Sequence, residues 1–418
     1  MGVFDKMMSD SYKQAFIEKK KAQLGTDLCY LKALEEYIFD SGCNKDIRRL
    51  KSGDYFLDAP TCFFVRKSHS TRRRRVYSFK DTDKYLLQFM TFVLMDFDDI
   101  HADSLCSFRV NNHTKRFFKR VRRIDSDRSH YVMKTDIHDF GGAMDQDIAL
   151  ELLGELFVGD PEFMAFLTWL LKRNEFYRCG KLIHERVSII EGLPLGGFIQ
   201  SVYLAELDRL LEADAVLYMR FTDDIAFFTD TEEKARRALE QVREICEKRA
   251  VALNEKKTQI ISPGEPVELL GIEIYDGGFD IGENSMQKLL SKFKRYRDRL
   301  LRRERRGKCT RELAMELMIK YADRTFFGKK VNDHEFNWVI HAFPIITRTD
   351  SLKRLDDYVQ DCIRVVGSGK LGNAKYRIRY REMCDAGYRS LVHAYYHGYT
   401  LEELEINEDT SHNADTSV

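Results

Sequence analysis

Residues 218–228 read Tyr-Met-Arg-Phe-Thr-Asp-Asp-Ile-Ala-Phe-Phe, and they indicate the fold more strongly than any other stretch. Apolar and aromatic residues stand on both sides of Asp223 and Asp224, which predicts two strands, 216–221 and 225–228, joined by a tight turn. Two adjacent carboxylates between apolar strands are costly unless a cation neutralises them. The stretch therefore predicts a hairpin whose turn presents carboxylates to a cation.

Adjacent aspartates are weak evidence by themselves, and the chain contains two further pairs, Asp98-Asp99 and Asp356-Asp357. The first pair follows a helical pattern and the second lies within one, so both are expected on a solvated surface. Asp223-Asp224 differs from them because strand-like apolar residues flank it on both sides. Position, rather than composition, makes this pair a candidate site.

Two upstream segments strengthen this interpretation. The run 131–137 (YVMKTDI) has the pattern of a buried strand that carries Asp136 near its end. Residues 192–197 (GLPLGG) contain glycines that let the backbone approach a ligand closely, directly before a predicted helix. Three carboxylates suit a pair of Mg²⁺ ions, which prefer hard oxygen ligands. Two such ions, about 3.5–4 Å apart, bind the attacking and leaving oxygens of a phosphoryl transfer.

Taken in order along residues 60–275, five motifs resemble those of the reverse transcriptases, specifically the bacterial ones related to group II intron and retron enzymes. The motifs are Lys134-Thr-Asp136-Ile137-x-x-Phe140, Gly192-x-Pro194-x-Gly196, Phe221-Thr-Asp223-Asp224, Leu253-Asn254-x-x-Lys257-Thr258 and Glu268-Leu-Leu270-Gly271-Ile272. Five motifs in the order of the family are a much stronger signal than any one of them. Residue patterns further predict a helix from the glycine loop to about residue 212 and a single strand at 268–275.

The resemblance implies an α+β fold with the right-hand architecture of polymerases, which consists of fingers, palm and thumb. Helical periodicity in the first 58 residues adds a helical N-terminal extension, and the chain ends in a helical region with an acidic tail. The predicted boundaries are 1–58 for the extension, 59–130 and 142–190 for the fingers, 131–141 and 191–282 for the palm, 283–345 for the thumb and 346–418 for the C-terminal region.

The resemblance also assigns catalytic roles. Asp136 and Asp223 would hold two Mg²⁺ ions, with Mn²⁺ as an alternative, while Asp224 assists them and the carbonyl of Ile137 is an extra metal ligand. Lys257 is the candidate acid for the pyrophosphate leaving group, and the alternative is a solvated surface lysine. The implied activity is RNA-directed DNA polymerisation, in which dNTPs extend a 3′-OH.

Short apolar or alternating runs at 62–66 and 75–79, separated by a basic stretch, predict a second hairpin. The resemblance places the incoming nucleotide at the arginines of this basic hairpin, 72–75, where one or two of them, Arg73 and Arg75 among them, would hold its triphosphate. The family's bulky residue that excludes ribonucleotides lies five positions after the first aspartate, but here that position is Gly141. Either Phe140 takes over this role or discrimination against ribonucleotides is relaxed. The residues expected to position template, nucleotide and primer are Phe140, Gly141, Pro194, Gly196, Gly197, Leu270 and Gly271.

Two basic segments are candidates for nucleic-acid binding. Residues 288–311 carry twelve Lys and Arg against two acids, directly after the predicted primer-binding motif. The alternative is a solvated helix face, but like charges so closely spaced repel unless a polyanion is near. Residues 115–123 mix cations with aromatics. The candidate contact residues in these segments are Lys115, Arg116, Arg120, Arg302, Arg303, Arg305 and Arg306. The resemblance adds Arg109, because Phe108-Arg109 resembles a Phe-Arg pair upstream of the first motif in intron-type enzymes.

The overall composition is that of a globular protein, with 44% hydrophobic residues and a formal net charge of +1 over 418 residues. The near-zero sum hides basic segments and an acidic tail, so it does not argue against a polyanionic partner. We expect no membrane segment and no secretion signal, and nine scattered cysteines without a CxxC pair favour reduced thiols in a cytoplasmic protein.

Residues 386–396 resemble the C-terminal region of stand-alone defence-associated reverse transcriptases of the type-two class. This narrower resemblance implies bacterial antiphage defence, with a companion non-coding RNA that is copied into cDNA. Three alternatives stay open: untemplated, protein-primed DNA synthesis of the abortive-infection type, a retron-type reverse transcriptase, and a catalytically idle RNA-binding module. The oligomeric state stays undetermined.

Overall fold

The computed structural model describes residues 1–23, 28–66, 73–109, 113–125, 127–186, 188, 191–327 and 342–397, which form a mixed α/β fold that is mostly helical. The chain divides into two units. The first comprises Met1–Lys21 and Leu28–Glu265, and the second comprises Ala22–Asp27 and Pro266–Val418. The division after Glu265 falls inside the segment predicted as palm, 191–282.

Four helices open the first unit. Their apolar faces join the large core of that unit, in which Phe4 packs edge-on against Phe163 and Phe166 with ring centroids 5.7 and 5.9 Å apart. The last of the four begins at a capping residue, Asp40, whose carboxylate accepts from the Gly42 amide. The helices are α1 (Val3–Met8), α2 (Asp10–Gln23), α3 (Leu28–Phe39) and α4 (Ser41–Lys51).

A four-stranded sheet follows, in the order β2-β1-β4-β5. The predicted basic hairpin, 62–79, forms the first half of this sheet. Strands β4 and β5 form another hairpin, which the sequence did not indicate. Its two strands are short and mix polar with apolar residues, and its turn at Cys179 and Gly180 has positive φ values of 50° and 76°. The strands are β1 (Thr61–Arg66), β2 (Arg73–Ser78), β4 (Glu175–Arg178) and β5 (Lys181–His184).

The central sheet of the first unit is antiparallel throughout, in the order β6-β7-β3-β8. Its strands are nearly continuous apolar runs because most of their residues are buried. The strands are β3 (Tyr131–Asp136), β6 (Leu217–Phe221), β7 (Asp224–Thr229) and β8 (Gln259–Ile261). The predicted hairpin at 216–228 and the predicted strand at 131–137 both lie in this sheet, side by side.

Among the described residues, eight further helices and one 3-10 turn (Met95–Ile100) complete the first unit. The helix expected from the GLPLGG loop to about residue 212 is interrupted at Leu204, because the Tyr203 carbonyl accepts from the Arg249 side chain at 3.1 Å. The helices are α5 (Asp81–Leu94), α6 (His113–Ile124), α7 (Phe140–Ala143), α8 (Gln146–Leu156), α9 (Pro161–Lys172), α10 (Gly196–Tyr203), α11 (Ala205–Asp214) and α12 (Glu232–Lys248).

The second unit contains a three-stranded antiparallel sheet and a group of helices. The single strand expected at 268–275 is two strands, because Leu270 and Gly271 turn the chain with φ values of 49° and 80°. The strands are β9 (Val267–Leu269), β10 (Ile272–Tyr275) and β11 (Gly278–Ile281). The helices are α13 (Glu283–Arg305), α14 (Arg311–Phe327), α15 (Asp350–Ser368), α16 (Tyr380–Asp385) and α17 (Leu391–His397), with a 3-10 turn at Gly372–Arg377.

The expectation that Asp356 is solvated was wrong. It is buried on α15, where its carboxylate accepts from the Tyr388 hydroxyl at 2.6 Å, from the Ser390 hydroxyl and from the amides of Leu391 and Val392. These donors lie at or next to the start of α17, so Asp356 ties that helix to α15.

No helix among the described residues is both long and apolar enough to cross a membrane. All nine cysteines lie in the described ranges, and each of them is a free thiol.

Candidate active site

Strand pairing brings the predicted carboxylates together. Asp136 ends β3 and Asp224 begins β7, and the two stand directly opposite each other in the antiparallel register. One residue further, the Ile137 amide donates to the Asp223 carbonyl at 3.2 Å. The two motifs, far apart in the sequence, therefore meet at one end of the central sheet.

A buried arginine supports the turn that carries these carboxylates. Arg220, on β6, is fully buried and donates to both oxygens of Asp208, at 2.7 and 2.6 Å. It also donates to the Thr222 carbonyl at 2.9 Å, while the Thr222 amide donates to the Ser107 hydroxyl at 3.0 Å. Thr222 has a φ of 59°, which a non-glycine residue adopts rarely. The sequence analysis missed this support, although a charged residue within an apolar strand was a detectable signal.

The predicted acid Lys257 contacts the first aspartate. Its Nζ lies 2.7 Å from Asp136 Oδ2, and the Asn254 side-chain amide donates to Asp136 Oδ1 at 3.0 Å. The Asn254 backbone amide also donates to the Asp136 carbonyl at 2.7 Å. Lys257 is half-exposed but not simply solvated, and both oxygens of Asp136 have a hydrogen-bonded partner.

The carboxylates at the turn are hard to ionise. Burial, together with the charges of Asp223 and Asp136, raises the pKa of Asp224 to about 6. Burial and the nearby charge of Asp136 also raise the pKa of Asp223. Burial alone would lower the pKa of Lys257, but its hydrogen bond to Asp136 and the three acidic charges raise it. The site has an excess of negative charge that favours a cation.

A cavity of about 330 Å³ opens beside the carboxylates. From the basic hairpin, Arg74 lines it, and this arginine donates to Glu191 at 2.8 Å. Arg73 and Arg75 lie on the other face of β2 because side chains alternate along a strand, and Arg75 stands over the Phe176 ring. The other lining residues are Asp136, Ile137, His138, Asp139, Phe140, Gly141, Gln200, Thr222, Asp223, Asn254 and Lys257.

The two residues proposed for sugar selection differ in their surroundings. Phe140 is only 3% exposed, and its ring packs against Tyr203 with centroids 6.1 Å apart. A Cβ on Gly141 would lie 2.8 Å from the Glu191 Cγ and 3.1 Å from the Gln200 Nε2. The ring of Phe140 therefore belongs to the core, and Glu191 and Gln200 adjoin the position where the family has a bulky side chain.

Internal packing by itself requires glycine at two or more positions of the loop 192–197, whether or not a ligand binds there. At Gly192, with a φ of 105°, a Cβ would lie 1.9 Å from the Tyr77 carbonyl oxygen. At Gly197 it would lie 2.0 Å from the Phe108 ring. Gly196 is buried at the start of α10, and Pro194 is half-buried before it. At least two of these glycines are therefore required by the fold itself.

Arg109, Leu270 and Gly271 are not among the residues that line this cavity. Arg109 is largely buried and donates to Asp98 at 2.8 Å and to the Ala102 carbonyl at 2.7 Å. Leu270 and Gly271 form the β9–β10 turn of the second unit, where a Cβ on Gly271 would lie 2.5 Å from the Ser285 hydroxyl.

The two basic helices differ in what they expose. On α6, Arg116 is exposed and Lys115 and Arg120 are half-buried, while the neighbouring Phe117 and Phe118 are buried in the core. The aromatics of this segment therefore cannot stack on bases. Four arginines near the end of α13 are exposed and form no ion pair with any described residue: Arg302, Arg303, Arg305 and Arg306.

The carboxylates fit Mg²⁺ in their chemistry, because they offer hard anionic oxygens whose mutual repulsion a cation would relieve. Within the described ranges, however, no three His, Cys, Asp or Glu side chains are arranged to hold a metal ion as they stand. The hydrogen bonds from Asn254 and Lys257 to Asp136 supply a physical reason, since this carboxylate already has a cationic partner. The donor set fits the metal, and Lys257 is its competitor at Asp136.

Comparison with known proteins identifies the family. The family model described as reverse transcriptase (RNA-dependent DNA polymerase) matches residues 65–274, which is half of the chain. The chain therefore belongs to the reverse transcriptase family, whose members are RNA-directed DNA polymerases that generally use divalent metal ions. No curated protein matches the sequence.

Similar solved structures are telomerases from Candida species. Apo telomerase from Candida tropicalis is 10% identical, with 84% of this chain and 69% of that chain covered and a TM-score of 0.47. Telomerase from Candida albicans in complex with a fragment of telomeric RNA is 11% identical, with coverages of 89% and 68% and a TM-score of 0.43. The chain spans 55% of the length of a truncated C. tropicalis telomerase, at 14% identity, with 53% of this chain covered and a TM-score of 0.40.

Proposed function

We propose that this protein synthesises cDNA from dNTPs on a structured RNA template by two-metal nucleotidyl transfer. The observation that carries the proposal is the register of β3 and β7, which sets Asp136 opposite Asp224 beside a cavity lined by Asp223, Arg74 and Lys257. Carboxylates and cations in one cavity match the charges of a metal-bound triphosphate.

Asp136, Asp223 and Asp224 would hold Mg²⁺, with the carbonyl of Ile137 as an additional ligand. When bound, the ions supply charge neutralisation for the attacking 3′-OH and the leaving pyrophosphate. Arg74 contacts the triphosphate, in place of Arg73 and Arg75, because only it lines the cavity among the described arginines of the hairpin. Lys257 is protonated at neutral pH and can donate its proton to the pyrophosphate.

The right-hand architecture is part of the same proposal. The β2-β1-β4-β5 sheet corresponds to the fingers, the β6-β7-β3-β8 sheet to the palm and α13 to the start of the thumb. The exposed, unpaired arginines of α13 support contact with a nucleic-acid duplex, because exposed guanidinium groups bind phosphates readily.

Relaxed sugar selection follows from Gly141. The Phe140 ring is packed in the core, and position 141 carries no side chain to exclude a 2′-OH. Single-nucleotide incorporation with dNTPs and with rNTPs tests this point. Discrimination of about 10⁴-fold or more against rNTPs would show that another group, such as Glu191, excludes the 2′-OH.

Primer extension tests the main proposal. The purified chain, with Mg²⁺, dNTPs and a DNA primer annealed to an RNA template, is expected to extend the primer, while Asp223→Ala plus Asp224→Ala abolishes extension. Asp357→Asn is the matched control, since Asp357 is an exposed aspartate of the other unit. Full biological function with the double alanine variant would instead support the idle RNA-binding module.

Sequencing the nucleic acid that co-purifies with the protein tests the template and the priming mechanism. A single structured RNA and its complementary DNA would support a companion non-coding RNA, or a retron-type RNA if the DNA stays joined to it. DNA of no fixed sequence attached to a tyrosine would favour protein-primed synthesis, whereas product with a free 5′ end excludes it.

A role in antiphage defence is supported by the resemblance of residues 386–396 to stand-alone defence-associated enzymes. Phage plating on bacteria that express the gene with its native flanking sequence tests this role. Protection is expected with the unaltered chain and with Asp357→Asn, and its loss with the Asp223→Ala, Asp224→Ala variant. Protection by the double variant would separate defence from polymerisation.

A further inference from the structure

A third basic segment, which like α13 lies outside the matched family region, combines exposed cations with exposed aromatic rings. Residues 370–382 contain five Lys and Arg and one acid, Glu382, which accepts from the Arg379 amide at the start of α16. Tyr376 is 56% exposed and Tyr380 is 47% exposed. The cations are Lys370, Lys375, Arg377, Arg379 and Arg381.

Most of the positive charge in this segment is available. Lys375 pairs with Asp361 on α15, and this leaves four cations. These four are exposed, and none of them forms an ion pair with any residue that the structure describes: Lys370, Arg377, Arg379 and Arg381. Unpaired guanidinium groups at this spacing repel one another, and a polyanion relieves that repulsion.

Each of the two tyrosine rings contacts neighbouring side chains while remaining about half-exposed. Tyr376 lies 5.1 Å from the Lys375 Nζ and 5.4 Å from the Arg364 guanidinium. Tyr380 stands at 88° to Tyr388, with ring centroids 6.3 Å apart, and Tyr388 is anchored by its hydrogen bond to the buried Asp356. Rings fixed in this way lose little conformational entropy when a base stacks on them.

The α6 segment provides an internal contrast. It also mixes cations with aromatics, but Phe117 and Phe118 are buried in the core. In residues 370–382 the tyrosines remain exposed, while Met383, just after them, is the buried anchor. Burying an aromatic ring is favourable, so two exposed rings, interspersed in the sequence with arginines that form no ion pair with any described residue, fit a binding surface better than a solvated one.

We propose that residues 370–382 form a binding surface for single-stranded nucleic acid, in which the arginines contact phosphates and Tyr376 and Tyr380 stack on bases. Exposed aromatic faces distinguish single strands, whose bases are free to stack, from duplexes and from anionic membranes. The surface lies outside the polymerase motifs and does not depend on catalysis. It would hold an unpaired part of the template or product at the second unit.

Fluorescence anisotropy with the full chain and a labelled single strand of about 12 nucleotides tests the proposal, with RNA and DNA of one sequence as separate arms. Tyr376→Ala plus Tyr380→Ala is expected to raise the Kd for the single strand at least about tenfold, since each stacked base contributes measurably to the binding free energy. Arg377→Gln, Arg379→Gln and Arg381→Gln together should lower the slope of log K against log salt by about 2.

Matched variants separate this surface from a general charge effect. Lys234→Gln, Arg236→Gln and Arg237→Gln remove the same charge from α12 and should leave the Kd nearly unchanged. Tyr376→Phe plus Tyr380→Phe keeps both rings and should bind like the unaltered chain, which assigns the loss of binding to the rings rather than to the hydroxyls. A circular dichroism spectrum of the alanine variant like that of the unaltered chain excludes misfolding as the cause of its weaker binding. Asp223→Ala plus Asp224→Ala should also bind normally, so failure of the polymerase proposal would not affect this result.

Photo-crosslinking locates the contact on the chain. A strand that contains 4-thiouridine should crosslink within residues 370–382. The proposal is overturned if crosslinks fall only elsewhere, if the tyrosine variant binds single strands as tightly as the unaltered chain, or if the α12 variant weakens binding equally. Binding of anionic vesicles that depends on these arginines, without binding of the strands, would assign the surface to membranes instead. Tighter binding of the RNA arm identifies template, and tighter binding of the DNA arm identifies product.

Discussion

The same dipeptide, Asp-Asp, has opposite surroundings at Asp223-Asp224 and at Asp356-Asp357. Asp356 is buried among donors, accepting from two hydroxyls and two amides. Asp223 and Asp224 are half-buried beside another carboxylate, and their partial burial raises the pKa of both. A buried carboxylate that is surrounded by donors stabilises the fold, whereas one that faces like charges destabilises it. Such a cost is typical of residues retained for function.

The largest expected effect is on activity. Asp223→Asn should reduce nucleotide incorporation by at least about a thousandfold, because removing a metal ligand removes several kcal/mol of charge stabilisation in the transition state. Single-turnover primer extension at saturating Mg²⁺ measures this change. Asp356→Asn, in protein that remains folded, should change the rate little, and an equal loss there would contradict the contrast between the two pairs.

The largest change in the free energy of unfolding is expected on substituting Asp356. Asp356→Ala should lower the free energy of unfolding by about 3–5 kcal/mol, because four donors, in two buried and two partly buried hydrogen bonds, lose their acceptor. Urea denaturation followed by circular dichroism measures this loss. The neighbouring Asp357 is exposed, so Asp357→Asn should change stability by less than about 0.5 kcal/mol.

At the Asp223-Asp224 turn, we expect a substitution to raise the free energy of unfolding rather than lower it. The pKa of Asp224 rises from 3.8 to about 6 on folding, so the folded chain binds the extra proton and loses stability as pH rises between these values. Without divalent cations at pH 8, Asp224→Asn should therefore raise the free energy of unfolding by up to about 3 kcal/mol. The gain should shrink on lowering the pH to 5. Destabilisation of the variant at pH 8 would show that the carboxylate is held by favourable contacts.

A smaller change in the free energy of unfolding is expected when Mg²⁺ is added. If the ion binds with a Kd of about 1 mM, about 10 mM Mg²⁺ should stabilise the unaltered chain by roughly 1.4 kcal/mol. Thermal unfolding with and without Mg²⁺ measures this gain. The gain should disappear in Asp223→Asn plus Asp224→Asn and persist in Asp357→Asn. An equal gain in all three proteins would indicate nonspecific ion binding.

Local patterns identified the elements around the site well. The hairpin at 216–228 and the strand at 131–137 follow from runs of apolar residues interrupted by aspartates, and both were found nearly where predicted. The β4–β5 hairpin was missed because its short, mixed strands are stabilised by pairing with β1, a contact between segments far apart in sequence. The turn at Leu270 and Gly271 was missed because an apolar run does not reveal where it bends.

By itself, the sequence determined which residues are candidates for chemistry: the aspartates and the basic segments follow from residue type and spacing, and Lys257 from the resemblance of its motif. Only the tertiary structure decided the surroundings of these residues. It placed Arg74 of the basic hairpin in the cavity wall, packed Phe140 against Tyr203, assigned Gly192 and Gly197 to internal contacts and filled the surroundings of Asp356 with donors. The reason is physical, because burial and hydrogen-bond partners depend on distant segments, and they set what a given carboxylate or ring can do.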